Sequence, residues 1–180
     1  MESKINLELK YFCSDFRPVR ALLREIGARK IHAVQQKDYF FNLPNRKSSH
    51  PRRLKLREEN GRHMLVYYER PNFSARLSTK ADVKVLTVLD SGLREFLSTA
   101  FGVKAVVEKK RELWRKGHTV FHLDTVKNVG KVFEIEVWTN PKTLSDDKVD
   151  FAKYRRQFLP YLGAIIRGSN ANIVVKHMNQ

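Results

Sequence analysis

Five stretches of the chain alternate apolar with polar residues, and their charges are sorted by strand. In "INLELK" Asn6, Glu8 and Lys10 share one face, opposite Ile5, Leu7 and Leu9. In "RRLKLRE" the shared face carries Arg53, Lys55 and Arg57, opposite Leu54 and Leu56. Lys109 and Arg111 share a face in "VVEKKRELW", and His122 and Asp124 in "VFHLDTV". In "KVFEIEVW" it is Glu134 and Glu136, opposite Phe133, Ile135 and Val137. A period of two means strand. One wet face of an antiparallel sheet explains any single case. It does not explain three bases on one strand and two acids on another, because like charges side by side repel. A closed sheet explains the set: large apolar residues pack outside under helices, and the charges line the lumen.

The rest of the chain fits such a sheet. "SDFRPVRALLREIGARK" predicts a helix capped by Asp15, with Pro18 in its first turn, a stripe of Val19, Leu22, Leu23 and Ile26, and a stop at Gly27. "IHAVQQKDYFFNLP" reads as extended, and "RRLKLREENGRHMLVYYERP" as a hairpin around Asn60-Gly61. "ARLSTKADVKV" reads as a further strand. "LDSGLREFLSTAFG" predicts a helix capped by Asp90 or Ser91 and ended by Gly102. Residues 103–138 read as a three-strand meander with turns at Lys116-Gly117 and at Asn128 to Lys131. A last helix, capped at Ser145 and interrupted near Pro160, would bury Val149, Ala152, Phe158 and Leu159. The tail "ANIVVKH" reads as a short strand. About eight strands and three helices, mostly strand–turn–strand and without linker or repeat, give one α+β domain over residues 1–180, built on an antiparallel sheet or barrel.

Composition narrows the partners. Lys and Arg number 35 against 19 Asp and Glu, a net charge of +16, which attracts polyanions: nucleic acid, anionic lipid or small-molecule phosphates. No run approaches the ~18 apolar residues of a membrane helix. "MESKINLELK" lacks the apolar core of a secretory leader, so an intracellular, cytoplasmic protein is the expectation. Cys13 is alone and builds neither a disulfide framework nor a zinc site. The six histidines show no metal-binding spacing, and His122 is expected either to face the lumen beside Asp124 or only to pack or hydrogen-bond.

A lumen with acids on one wall and bases on another suits a metal-bound polyphosphate. Clustered carboxylates hold hard divalent cations such as Mg²⁺ or Mn²⁺. Lys and Arg hold phosphate oxygens, Arg in a fork.

The residues also resemble a known family. "NLELK" is similar to the ExExK signature of the CYTH family, the triphosphate tunnel metalloenzymes, which include class IV adenylate cyclases and thiamine triphosphatases. "QQKDYFFNLP", "RRLKLRE", "LVYYERP", "VVEKKRELW" and "VFHLDTVKNVGKVFEIEV" follow in family order and spacing, most like the class IV adenylate-cyclase-like branch. The resemblance implies an eight-stranded antiparallel β-barrel, a triphosphate tunnel, with about three flanking α-helices. It implies that Glu8, Asp124, Glu134 and Glu136 bind Mg²⁺ or Mn²⁺. Lys10, Lys55, Arg57, Lys109 and Arg111 would grip phosphate, with Arg53 and Arg76 as further candidates, and Glu8 and Lys10 would form the catalytic pair. Three positions depart from the family pattern. Asn6 replaces the commonest first glutamate, Glu69 falls near a position that often carries Lys, and Asn170 stands where a tyrosine is usual.

The implied substrate is a triphosphate: ATP, thiamine triphosphate or tripolyphosphate. Water as nucleophile gives diphosphate and phosphate. A ribose 3′-hydroxyl attacking the α-phosphorus gives a cyclic nucleotide and pyrophosphate. Residue types do not separate the two. A divergent tunnel that holds nucleotide, polyphosphate or RNA without turnover is the alternative, and a β protein binding RNA on outward basic faces is a third. Monomer and homodimer both remain open.

Overall fold

A computed structural model describes residues 5–45, 47, 50–69, 78–80, 82–90 and 92–178. In chain order the elements are β1 (Ile5–Phe12), α1 (Phe16–Glu25), β2 (Arg29–Phe41), β3 (Arg52–Glu59), β4 (Arg62–Glu69), β5 (Ser78–Lys80) and β6 (Asp82–Val88). Then come α2 (Leu93–Phe101), β7 (Val103–Lys116), β8 (Thr119–Val126), β9 (Gly130–Thr139), α3 (Leu144–Phe158), a 3-10 turn (Leu159–Tyr161), β10 (Ile165–Ile166) and α4 (Asn170–Met178). None of the described helices is long and apolar enough to cross a membrane.

Hydrogen bonding runs β1–β9–β8–β7–β2–β3–β4–β6, antiparallel at every step. β5 is separated from β6 by one residue and pairs back onto β1, with Asn6 opposite Thr79. Together β5 and β6 make a split strand joining β4 to β1, so the sheet closes into a ring of eight. β10 adds a short pairing at the far end of β1, Lys10 opposite Ile166. The β3–β4 turn has positive φ at Asn60 (49°) and Gly61 (74°), the tight reversal that an Asn-Gly step favours.

Alternation then sorts the side chains. Leu7, Leu9 and Tyr11 of β1, Phe121 and Leu123 of β8, and Phe133, Ile135 and Val137 of β9 point outward into a core closed by α1 and α3. The Phe158 ring lies 4.9 Å from that of Phe133 and 5.4 Å from that of Phe121. Full burial of each such side chain contributes about 1.5–3 kcal/mol. α1 has the expected cap, Asp15 accepting from the Arg17 amide at 3.0 Å, and buries Val19 and Leu23. α2 covers the outer faces of β2 and β3 through Leu97 against Tyr39, Phe41 and Leu56.

Four local expectations are corrected. α3 starts at Leu144 after an N-cap at Thr143, not at Ser145. Its buried face is Asp147, Phe151, Tyr154 and Phe158, while Val149 is 67% exposed and Ala152 and Leu159 are also exposed. Both faces keep helical spacing, and the one with three aromatic rings removes more apolar surface from water. In α2 the N-cap is Gly92 and makes no side-chain cap bond; Asp90 instead accepts from the Gly92 amide at 2.7 Å, and Ser91 is outside the described residues.

The fourth correction is the tail, which is helical. Before α4, the Ser169 hydroxyl donates to the Asn172 side-chain oxygen at 2.6 Å and accepts from the Asn172 amide at 3.4 Å, a local bond set that starts a helix. Ala171, Ile173 and Val174 then pack on Phe40, Ala105, Val107, Val126 and Val132. By alternation those strand residues share the inward face with Asp38, Lys109, Asp124 and Glu134. α4 therefore plugs one end of the ring with apolar side chains, and the charged residues occupy the remainder.

Candidate active site

Beyond the plug the ring encloses a cavity of about 480 Å³. Glu8, Lys10, Lys55, Arg57, Lys109, Arg111, Glu134 and Glu136 all line it, so eight of the expected residues share one space. Register brings them together. Glu8 lies directly opposite Glu136 and Lys10 opposite Glu134 on β1 and β9. Arg111 lies opposite Asp124 on β7 and β8. Asp124 does not line the cavity; it is 1% exposed, behind Lys109 and Arg111. Arg53 faces a neighbouring cavity of about 470 Å³ that shares Phe40 and Ser169 with the first, and its guanidinium lies 5.7 Å from the Tyr68 ring centre. Arg76 is outside the described residues.

The charges are paired throughout. Lys10 binds Glu8 and reaches Glu134 at 3.1 Å. Arg111 grips Asp124 through Nε (2.6 Å) and Nη2 (2.7 Å), and the same Nη2 touches Glu134 at 3.2 Å. Lys109 completes that cluster at 2.9 Å from Asp124. His122, expected either to face the tunnel beside Asp124 or only to pack or hydrogen-bond, lines the cavity, with Nε2 3.0 Å from Glu136. Asn6 donates through Nδ2 to Glu136 (3.0 Å) and Glu8 (3.3 Å), while its own Oδ1 is buried without a partner.

Among the charged residues lining the cavity, Asp38 and Glu59 were not expected, and Asp38 is the one held by the bases. Asp38 of β2 lines the cavity and binds Arg57 through Nε (2.7 Å) and Nη2 (2.8 Å) and Lys55 at 2.9 Å. The available signal was alternation in "QQKDYFF", which puts Asp38 on one face with Gln36 and Phe40.

Burial and pairing set the protonation. Burial pushes Lys55 down to about 7 against the pull of Asp38. Burial and the neighbouring Arg111 push Lys109 down to about 8, with Asp124 pulling the other way. Burial works to raise Asp38, Asp124 and Glu134, but the cations beside them hold all three well below the usual carboxylate range. The bases and acids thus form two ion-paired clusters around one cavity, Lys55 and Arg57 on Asp38, and Lys10, Lys109 and Arg111 on Glu8, Asp124 and Glu134, while Glu136 bonds to His122 and Asn6. Removing a single partner would strand its mate's charge. A ligand that brings both signs can enter without doing so.

Among the described residues no three of His, Cys, Asp and Glu form a ready cation cage. The orphaned Asn6 oxygen, beside the Glu8 and Glu136 carboxylates, nevertheless fits a hard oxygen-seeking cation.

The same architecture recurs in solved structures. A protein of Pyrococcus horikoshii OT3 superposes with a TM-score of 0.75 at 22% identity, over 94% of this chain and 99% of its own. A proposed adenylate cyclase of Vibrio parahaemolyticus gives 0.71 at 18% identity, over 97% and 99%. A Hippeastrum protein, proposed as an adenylyl cyclase and described as having a dominant triphosphatase activity, gives 0.67 at 15% identity, over 96% and 95%. At these identities the likeness establishes the fold alone. No curated protein matches the chain. The CYTH domain model matches residues 4–157, which span the ring and every charged residue just described. A closed ring of strands, an interior of paired acids and bases, and that match over most of the sequence place the chain in the CYTH domain family.

Proposed function

We propose that the chain is a metal-dependent enzyme acting on triphosphates, its single CYTH unit spanning residues 1–180. One observation carries the reading: two Lys-x-Arg pairs, Lys55/Arg57 and Lys109/Arg111, share a cavity with Glu8, Glu134 and Glu136. The bases would hold an extended polyphosphate and neutralise charge as a P–O bond breaks. Lys10, already between Glu8 and Glu134, would follow the phosphate while staying paired. Glu8, Glu134 and Glu136, with the Asn6 oxygen, would hold Mg²⁺ or Mn²⁺. Asp124 would join them only if Lys109 and Arg111 released it. The metal, when bound, supplies Lewis-acid polarisation of phosphate oxygens. Either hydrolysis or cyclisation of ATP with pyrophosphate release is compatible with this set.

Asn6 favours a second reading. An amide is a weaker metal ligand than a carboxylate, so the tunnel would bind nucleotide, polyphosphate or RNA without turnover. Phosphate and pyrophosphate release from ATP, thiamine triphosphate and tripolyphosphate in Mg²⁺ or Mn²⁺ separates the two, with products identified. The enzyme reading expects release that falls at least about 100-fold in Glu134→Gln. Binding without release from any of the three supports the second.

A further inference from the structure

We infer that Asp38 is a positioning residue of this site: it sets Lys55 and Arg57 as one phosphate grip, as Asp124 sets Lys109 and Arg111 as another. The inference rests on the triphosphate reading and adds to it a second, equivalent grip.

The two clusters are the same construction. Asp38 lies directly across the β2–β3 pairing from Arg57, and Asp124 directly across the β7–β8 pairing from Arg111. In each a lysine stands two residues before the arginine, on the same face. In each the aspartate's Oδ1 takes Nε, and its Oδ2 takes both Nη2 and the lysine Nζ. Corresponding distances agree within 0.1 Å: 2.7, 2.8 and 2.9 Å around Asp38, and 2.6, 2.7 and 2.9 Å around Asp124.

That geometry does specific work. A bidentate carboxylate fixes the plane of the guanidinium and uses two of its five N–H donors, leaving the Nη1 edge for a second anion. The lysine is fixed by the same oxygen, so the two cations cannot drift apart. Asp38 also favours the charged form of Lys55, opposing burial and the nearby Arg57 and Lys109, which together still push it down to about 7. A pair that served stability alone has no need of this chemistry, since well-packed apolar side chains replace buried ion pairs at little cost. Asp38 instead faces the cavity at 3% exposure, with Lys55 and Arg57 lining the space beside it. Two grips on adjacent walls suit a linear ligand whose phosphoryl groups are held separately.

The test is calorimetric titration of the full chain with tripolyphosphate, which needs no turnover. Asp38→Asn is expected to weaken binding about 10–100-fold, the range for partners that orient primary ligands. In a Lys55→Met/Arg57→Met background the same substitution is expected to cost under about threefold, because its effect runs through those two side chains. Equal losses in both backgrounds, unchanged affinity, or tighter binding by Asp38→Asn would overturn the inference. If Asp38→Asn does not fold, Asp38→Glu carries the test by keeping the charge and moving it one methylene. An affinity loss of about fivefold or more at an unchanged melting temperature supports the role, and unchanged affinity refutes it. A wild-type chain that does not bind tripolyphosphate sinks the triphosphate reading and this inference with it. A wild-type chain that binds no better than its variant sinks only the role of Asp38.

Discussion

Asn6 donates its side-chain amide to Glu136, 3.0 Å away on β9, and to Glu8, 3.3 Å away, at a place where a carboxylate would face two others. The amide quiets that repulsion at the expense of metal-binding charge. Asn6→Asp should therefore destabilise the metal-free protein by about 1–3 kcal/mol, a fall in melting temperature of roughly 3–10 °C. Mn²⁺ should restore more stability to the variant than to the wild type, as thermal unfolding with and without the ion would show. A variant as stable as the wild type without metal would refute this account of Asn6.

Lys55 links affinity to pH. Its charged form faces Asp38, Arg57 and Lys109, and its pKa of about 7 means that it loses its proton just above neutrality. Tripolyphosphate should bind more weakly at pH 9 than at pH 6.5, by about tenfold or more, with proton uptake on binding near pH 7.5. Lys55→Arg, whose guanidinium stays charged, should flatten that fall. The sign for folding is opposite. The unfolded chain binds the extra proton between about pH 7 and the ordinary lysine range, so this group adds stability to the ligand-free protein as pH rises through that window.

α3 offers a test of the outer core. Phe151 is 1% exposed among the aromatic rings, and Val149 is 67% exposed. Phe151→Ala should cost about 3–5 kcal/mol in chemical denaturation, and Val149→Ser less than about 0.5 kcal/mol.

The plug is tested at Ile173, 7% exposed between α4 and the inward apolar ends of the strands. Ile173→Ala should lose about 2–4 kcal/mol by the same measurement. A loss below about 0.5 kcal/mol would mean that α4 does not seal the ring.

The barrel was legible because its lumen is charged: alternation alone placed Glu8, Lys55, Arg57, Lys109, Arg111, Glu134 and Glu136 on one surface. Asp38 escaped because it is a lone acid among Lys37, Tyr39 and Phe40, and its meaning lies in the cross-strand register with Arg57, which a linear pattern does not contain. The burial of Asp124 behind its bases was hidden for the same reason. Ile173-Val174-Val175 suits strand and helix equally, and the helix is selected by the Ser169–Asn172 bonds at its start and by packing on Ala105 and Val107. On α3, spacing gave a helix, but competing apolar stripes are separated by what they pack on.

On the proposed function, the cavity reads a chain of phosphoryl groups. The direct measurement is the affinity of the wild-type chain for phosphate, pyrophosphate and tripolyphosphate, each titrated in Mn²⁺ at fixed ionic strength. A rise of about tenfold or more at each added phosphoryl group is the expected result. Equal, weak binding of all three, with tight binding reserved for long RNA and falling steeply with salt, would contradict it.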